Sequence, residues 1–361
     1  MRHLRGVLIL LILPFVAACL QAQIRGCEGL PAAKPEDINL LANTGIELSH
    51  AQQYDAAAAC YRKVLAIDPD IPQIQLNLGL AEFKSGRFRE AAELFQRVLK
   101  SDPKNVQART LLAMSFYGGH VFTEAAANLE MLLATDPENP QLHYYFAQSL
   151  LSFSDYKRAL KEFEWLERHD PEAAATHVLI AEALDGLSRP EEAISELQTA
   201  LAKSPNEPNV HFGIGYIYWT QHKDDEAERE FRLELDRDPG NAQAWAWLAD
   251  LLIRQGEFEK AKPFLDKAVA LDPSVRIAQL DLGIAFAQDK KYDNAIAAFK
   301  EAIRLDASKT DAHFRLARVY RLAGKPVEAA AELAIVQQLR DQKDDKLHQV
   351  TGHPPNPLPD K

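Results

Sequence analysis

Proline recurs at Pro69, Pro103, Pro137, Pro171, Pro205, Pro239 and Pro273, at an interval of 34 residues that no insertion or deletion interrupts. Ala307 holds the next place, and Asp precedes every one of these positions except Pro205, which follows Ser204. A fixed period of this length means that one supersecondary unit is repeated and stacked, which excludes a conventional single-core globule.

Two further columns keep the same phase. Ala57, Ala91, Ala125, Ala159, Ala193, Ala227, Ala261, Ala295 and Ala329 stand before each proline place. Gly45, Gly79, Ala113, Ala147, Ala181, Gly215, Ala249, Gly283 and Ala317 lie twelve residues earlier. Nothing larger than alanine enters either column. Bulky residues flank them, with Leu78, Leu112, Phe146, Ile180, Ile214, Leu248, Leu282 and Leu316 on one side and Tyr61, Phe95, Phe163, Phe231 and Phe299 on the other. The pattern predicts two helices per repeat. Small residues on facing helices let the axes approach, and large apolar residues three or four positions away fill the grooves. Proline lacks an N–H and pushes the residue before it out of the α region, so it ends the second helix.

These columns resemble the tetratricopeptide repeat, most fully over 242–275, with Trp245, Leu248, Ala249, Leu252, Gly256, Phe258, Ala261, Leu265, Ala268 and Pro273. The resemblance implies an all-α fold, a right-handed α-solenoid of about nine helix–turn–helix repeats covering 38–343, between an irregular segment at 19–37 and a proline-rich tail at 344–361. Three positions depart from the family pattern. Thr44 replaces a leucine, Glu82 an aromatic residue, and Glu234 a small apolar one. The ninth repeat has no proline, so its second helix is expected to run on to about Val350.

Residues 1–18 are set apart from this array. Arg2 and Arg5 precede an apolar run from Val7 to Ala18. Twelve helical residues rise roughly 18 Å, short of the roughly 30 Å hydrocarbon core, so the run reads as a signal peptide rather than a membrane span. Val16-Ala17-Ala18-Cys19 resembles the lipobox of bacterial lipoproteins, which implies lipidation of Cys19, an anchor there as the sole membrane attachment, and placement at the periplasmic face of the outer membrane. Cleavage after Ala22 is the alternative and leaves a soluble periplasmic or secreted chain. If Cys19 is lipidated or removed, Cys27 and Cys60 are the remaining thiols, to be read either as a disulfide formed in an oxidising compartment or as two free thiols.

The net charge is −11. Such an acidic chain has no basic footprint for a phosphate backbone, so nucleic acid is not an expected partner. No HExxH, Walker A, GxSxG or GxGxxG motif occurs, and no catalytic activity or cofactor is expected. His143, His177, His211 and His313 share the fourth position of their repeats. Equivalent positions in neighbouring repeats lie roughly 8–10 Å apart, too far for shared metal coordination, so these rings are assigned to packing.

The family resemblance places the binding groove on the first helix of each repeat. Carried over by position, it presents Met114, Tyr117, Tyr144, Gln148, Glu182, Asp185, Phe212, Tyr216, Trp219, Asp250 and Arg254. Tyr117, Tyr216 and Trp219 are expected to face the groove, whereas Phe212 is better explained by packing between repeats. Aromatic area with a few charges suits a protein or extended peptide. Glycan or peptidoglycan binding through Tyr144, Tyr216 and Trp219 is the second reading. The terminal-carboxylate clamp of chaperone-binding relatives is not expected, since its places hold Ala42, Ile46, Leu76 and Leu80.

Overall fold

The computed structural model describes residue 27 and residues 34–351, with side chains to residue 342. The signal segment, Cys19 with its alternative cleavage site, and the chain beyond residue 351 lie outside the described residues. Among the described residues there are eighteen α-helices and no strand. The chain divides into two compact units, one up to Pro171 and one from Glu172.

The first unit contains four helix pairs: α1 (Ile38–His50) with α2 (Tyr54–Ile67), α3 (Pro72–Lys84) with α4 (Phe88–Ser101), α5 (Val106–Gly118) with α6 (Phe122–Leu133), and α7 (Pro140–Ser152) with α8 (Tyr156–His169). The second contains five: α9 (Ala174–Gly186) with α10 (Pro190–Lys203), α11 (Val210–Thr220) with α12 (Asp224–Arg237), α13 (Ala242–Arg254) with α14 (Phe258–Leu271), α15 (Arg276–Gln288) with α16 (Tyr292–Leu305), and α17 (Thr310–Leu322) with α18 (Pro326–Thr351). The period read from the sequence is therefore a helix pair. As the missing proline leads one to expect, α18 runs on past the ninth repeat, to Thr351 against the expected end near Val350, and so takes in 344–351. Asp341 stands where a proline would have stopped it.

Each first helix is stopped in the same way. The residue two places past its last turn has positive φ, from Gln52 at 58° to Gly256 at 79°, and the next amide donates back to a carbonyl five residues earlier. Gln53 N–H to Leu48 O (2.9 Å) and Lys325 N–H to Tyr320 O (2.8 Å) are the first and last examples. This is a Schellman turn, normally closed by glycine. Only Gly86, Gly256 and Gly324 supply it here, whereas Gln52, His120, Ser154, Ser188, His222 and Lys290 adopt it despite a side chain.

The alanine of every second helix is fully buried. Its partner column follows a size rule. A Cβ built on Gly45, Gly79, Gly215 or Gly283 would stand 2.5, 2.6, 2.8 or 2.5 Å from the ring of Tyr61, Phe95, Phe231 or Phe299. Where that column has Ala113, Ala181, Ala249 or Ala317, the facing place sixteen residues on holds leucine; Ala147 with Phe163 is the exception. Gly with a ring and Ala with Leu are two ways of filling one space.

The unusual residues have structural work. In the first unit, Glu82 is buried and ion-paired with Arg62 and Arg87, while Arg87 also pairs with Asp55 at 2.6 Å, tying the first two repeats together. Cys27 is disulfide-bonded to Cys60 on α2. In the second unit, α11 starts after Asn209, a left-handed residue that gives no side-chain cap. Buried Glu234 reaches across from α12 to accept the Phe212 N–H at 3.1 Å and the Asn241 amide at 3.2 Å. It replaces the missing cap, which explains its presence at a normally apolar place.

The four histidines bridge the two helices of their repeats. His143, His177, His211 and His313 place Nδ1 at 2.6, 2.7, 2.8 and 2.6 Å from Glu162, Glu196, Glu230 and Glu332. The fourth position also serves as a donor to the proline carbonyl six residues earlier: Gln75 to Pro69 (2.7 Å), Arg109 to Pro103 (2.8 Å) and Trp245 to Pro239 (2.9 Å).

Candidate functional site

The candidate residues fall into two sets, one in each unit. In the first unit, Tyr117 on α5 packs edge-on against Tyr145 of α7 at 5.2 Å and Phe122 of α6 at 5.7 Å. Tyr144, 40% exposed, lies edge-on to Tyr145 at 5.5 Å. Gln148 is half-buried one turn on. Burial raises the Tyr117 phenol above its ordinary value, and Tyr144 and Tyr145 add to the shift. Tyr145, which the positional carry-over omits, is the centre of this cluster.

The second unit holds the larger set. Tyr216 and Trp219 on α11 stack at 5.8 Å, and Trp247 of α13 meets their edges at 5.3 and 4.3 Å. Trp219 is fixed on all its polar and cationic sides. Its indole N–H donates to Asp250 Oδ2 at 2.6 Å, Arg254 pairs with the same carboxylate at 2.9 Å, and the guanidinium lies 3.9 Å over the indole ring. Asp224 holds Arg254 from α12 at 3.5 Å. A buried carboxylate with an indole donor and a guanidinium has its lone pairs engaged, so the group is rigid. Burial still raises the Asp250 carboxyl, opposed by the Trp219 hydrogen bond and Arg254.

Phe212 lies 5.9 Å from the buried Phe231 ring and 6.5 Å from Tyr216. It joins the packing of the repeat to the surface row. Tyr216, half-buried, has its phenol raised by burial and by Asp185. Glu182 and Asp185 on α9 have no ion pair or hydrogen-bonding partner for their carboxylates among the described residues. Desolvation raises both, and Asp185 adds to the rise at Glu182. Glu182 nevertheless keeps an exposed surface, so its shift reflects crowding by neighbouring side chains more than enclosure.

Three residues outside the expected set stand in line with it. Asp281 on α15 is 1% exposed, and its Oδ2 has no partner. Arg315 and Arg318 on α17 are exposed and make no ion pair or hydrogen bond among the described residues. The same position count reaches all three, since Asp281 and Arg315 follow Trp247 at intervals of 34 and Arg318 follows Asp250 after two. No group of three or more potential metal ligands occurs among the described residues. No described helix is long and apolar enough to cross a membrane.

Comparison with known proteins bears on the repeats. Sequence models of the tetratricopeptide repeat match residues 110–163, 144–208, 178–242, 212–276 and 248–310, and a second such model matches 48–114 and 286–350. Over 95 residues the chain is 30% identical to TPR repeat-containing thioredoxin TTL4 of Arabidopsis thaliana. Over 95 residues it is 26% identical to anaphase-promoting complex subunit 3 of Schizosaccharomyces pombe. Each match covers 26% of this chain and 14% of the relative, so the chain spans only that small part of the curated relatives' length. Among solved structures, a tetratricopeptide repeat protein from Parabacteroides merdae superposes with a TM-score of 0.59 at 16% identity, covering 69% of this chain and 98% of that one. The Cut9–Hcn1 hetero-tetramer of the anaphase-promoting complex gives 0.56 at 14% identity, covering 86% and 74%. At such identities the likeness is one of fold.

Proposed function

This chain belongs to the tetratricopeptide repeat family, whose members generally mediate protein–protein interactions, and from that premise we propose that it is a non-catalytic scaffold for a protein or extended-peptide partner. The observation that carries this reading is the rigid aromatic row of the second unit, Tyr216, Trp219 and Trp247, locked by Asp250 and Arg254. Rigid aromatic side chains supply large contact area at low entropic cost, which is the property of binding hot spots. Tyr117, Tyr144 and Gln148 form a second contact area in the first unit. Arg254 covers one face of the Trp219 ring, which leaves less open ring surface for stacking on a sugar and favours a peptide over a glycan.

We place the scaffold in the cell envelope. The charged-then-apolar start of the sequence and the lipobox-like Val16-Ala17-Ala18-Cys19 support export with lipid anchoring at Cys19. The Cys27–Cys60 bridge supports an oxidising compartment. Affinity capture from envelope extracts with the wild-type chain and a Tyr216→Ala/Trp219→Ala variant tests the function. The variant is expected to lose its protein partners. Unchanged partners would remove the aromatic row from the binding site, and elution by free sugar would move the reading to glycans.

A further inference from the structure

The last two repeats form a cavity of about 360 Å³, open to solvent on one side and lined by none of the aromatic row. Ile284, Ala287 and Gln288 of α15 form one wall, and Phe314, Arg318 and Leu322 of α17 form the other. Phe314 is 53% exposed and Leu322 54% exposed, so two large apolar groups of one helix stand open to solvent at the cavity. Arg315, beside them, also lines the cavity.

The charge at this place is unbalanced. Asp311, the acid on the cavity rim, is ion-paired with Arg276 of α15. Asp281 is the next carboxyl; it is buried and makes no ion pair or hydrogen bond with Arg315, and burial, then Asp250, raises its titration well above the ordinary value against the pull of Arg315. Burial disfavours the charged form of this carboxyl, so it offers Arg315 less compensation than a solvated carboxylate would. Among the described residues Arg315 and Arg318 thus have no ion pair or hydrogen bond, on a chain whose net charge is −11. The overall negative field disfavours a polyanion, while two local guanidinium groups suit a single carboxylate, held in a fork geometry.

Spacing adds a pattern. Phe314, Arg318 and Leu322 lie at i, i+4 and i+8, so they form one line along α17 with a step of about 6 Å. Alternate residues of an extended chain are separated by roughly 6.5 Å and point to the same side. An extended segment lying along α17 would thus place an apolar side chain over Phe314, a carboxylate on Arg318 and a second apolar side chain over Leu322.

We propose that this cavity is a docking site for an extended peptide of a partner protein that carries Asp or Glu at its centre and a bulky apolar side chain two residues away on each side. The inference rests on the scaffold reading above and names the chemistry of one segment of the partner. The carboxylate meets Arg318, with Arg315 beside it, and one apolar side chain enters the cavity against Ile284.

Selection of a random heptapeptide library displayed on phage, with the full chain as bait, tests it. The wild type is expected to enrich the apolar-x-acid-x-apolar pattern, and Arg318→Gln to abolish that enrichment. Arg318 is exposed and makes no ion pair or hydrogen bond among the described residues, so the variant should keep the helical circular dichroism and melting temperature of the wild type. A synthetic copy of the most enriched peptide should bind at least tenfold more weakly when its central acid is replaced by the corresponding amide. Enriched peptides that lack the acid, or an acidic pattern untouched by Arg318→Gln, would overturn the proposal. If such peptides are instead lost in the Tyr216→Ala/Trp219→Ala variant, the scaffold reading stands and the docking site alone falls. No enrichment at all would defeat both. Retention on heparin that depends on Arg318, with no peptide selected, would assign the cavity to polyanions and also overturn the proposal.

Discussion

Gly283 shows how little room a repeat leaves at its seam. A Cβ there would stand 2.5 Å from the Phe299 ring, which is itself 1% exposed and cannot swing away. Gly283→Ala should therefore destabilise by about 1–3 kcal/mol in chemical denaturation, as overpacked cores do. Phe299→Leu should recover much of that loss, because Ala with Leu is the pair used by Ala249 and Leu265 in the preceding repeat. Additive losses in the double variant would refute the size rule. Asp281 makes a second residue-level case. Its folded titration is raised, mainly by burial and then by Asp250 and Asp311, against the pull of Arg315 and Arg254. A raised acid contributes stability below its unfolded pKa of about 4 and loses it as pH rises towards the folded value. The stability of Asp281→Asn relative to the wild type should accordingly grow between pH 4 and 8. Parallel melting-temperature curves for the two proteins over that range would show that Asp281 is not desolvated as described.

At the level of the element, the turns are locally imperfect and the helices are held by what they pack against. Six of the nine first helices end on a non-glycine residue at positive φ. Left-handed backbone strains any residue with a Cβ, whereas glycine adopts it freely. Ser188→Gly and Lys290→Gly should each stabilise by up to about 1 kcal/mol, read as a higher urea midpoint at unchanged slope. A lower midpoint would mean that backbone entropy outweighs strain at these turns. Helix α11 is the opposite case, where a local defect is repaired from outside. Asn209 gives no cap, so the N–H of Phe212 depends on Glu234 from the next helix. Glu234→Ala should leave that donor unsatisfied and cost roughly 1–3 kcal/mol.

For the whole molecule, stability in a stack of repeats is close to a sum of nearest-neighbour terms, so damage stays near its origin. In Gly283→Ala, faster amide exchange should appear in α13 to α18, while the first unit keeps its protection. Among the described residues no repeat precedes the first, and the Cys27–Cys60 bond ties residue 27 to α2 there across 33 residues of sequence. Closing a loop of that size is worth about 3–4 kcal/mol in the chain-entropy account. Reduction should lower the melting temperature of the first unit, and an unchanged melt on reduction would deny the bond a structural role. Mass spectrometry of the mature amino terminus addresses anchoring: acylated Cys19 is the expected product, and a free Gln23 would refute the lipid anchor.

Periodicity alone determined the helix pairs, the buried alanine column and the termination of second helices, because those depend on residue size and on proline's missing donor within one 34-residue unit. The pairing of Gly with a ring and Ala with Leu is also legible there, in residues sixteen positions apart. The polar arrangement was decided only by tertiary structure. The Trp219–Asp250 bond spans 31 residues, the Phe212–Glu234 cap 22 and the Arg62–Glu82 pair 20. Position counting brings such residues to one face, but it does not say which of several nearby partners a side chain turns to. That choice depends on desolvation and rotamer at each place. It is why Trp219 is locked by Arg254 while Arg318, one of the same row of positions, has no ion pair or hydrogen bond among the described residues.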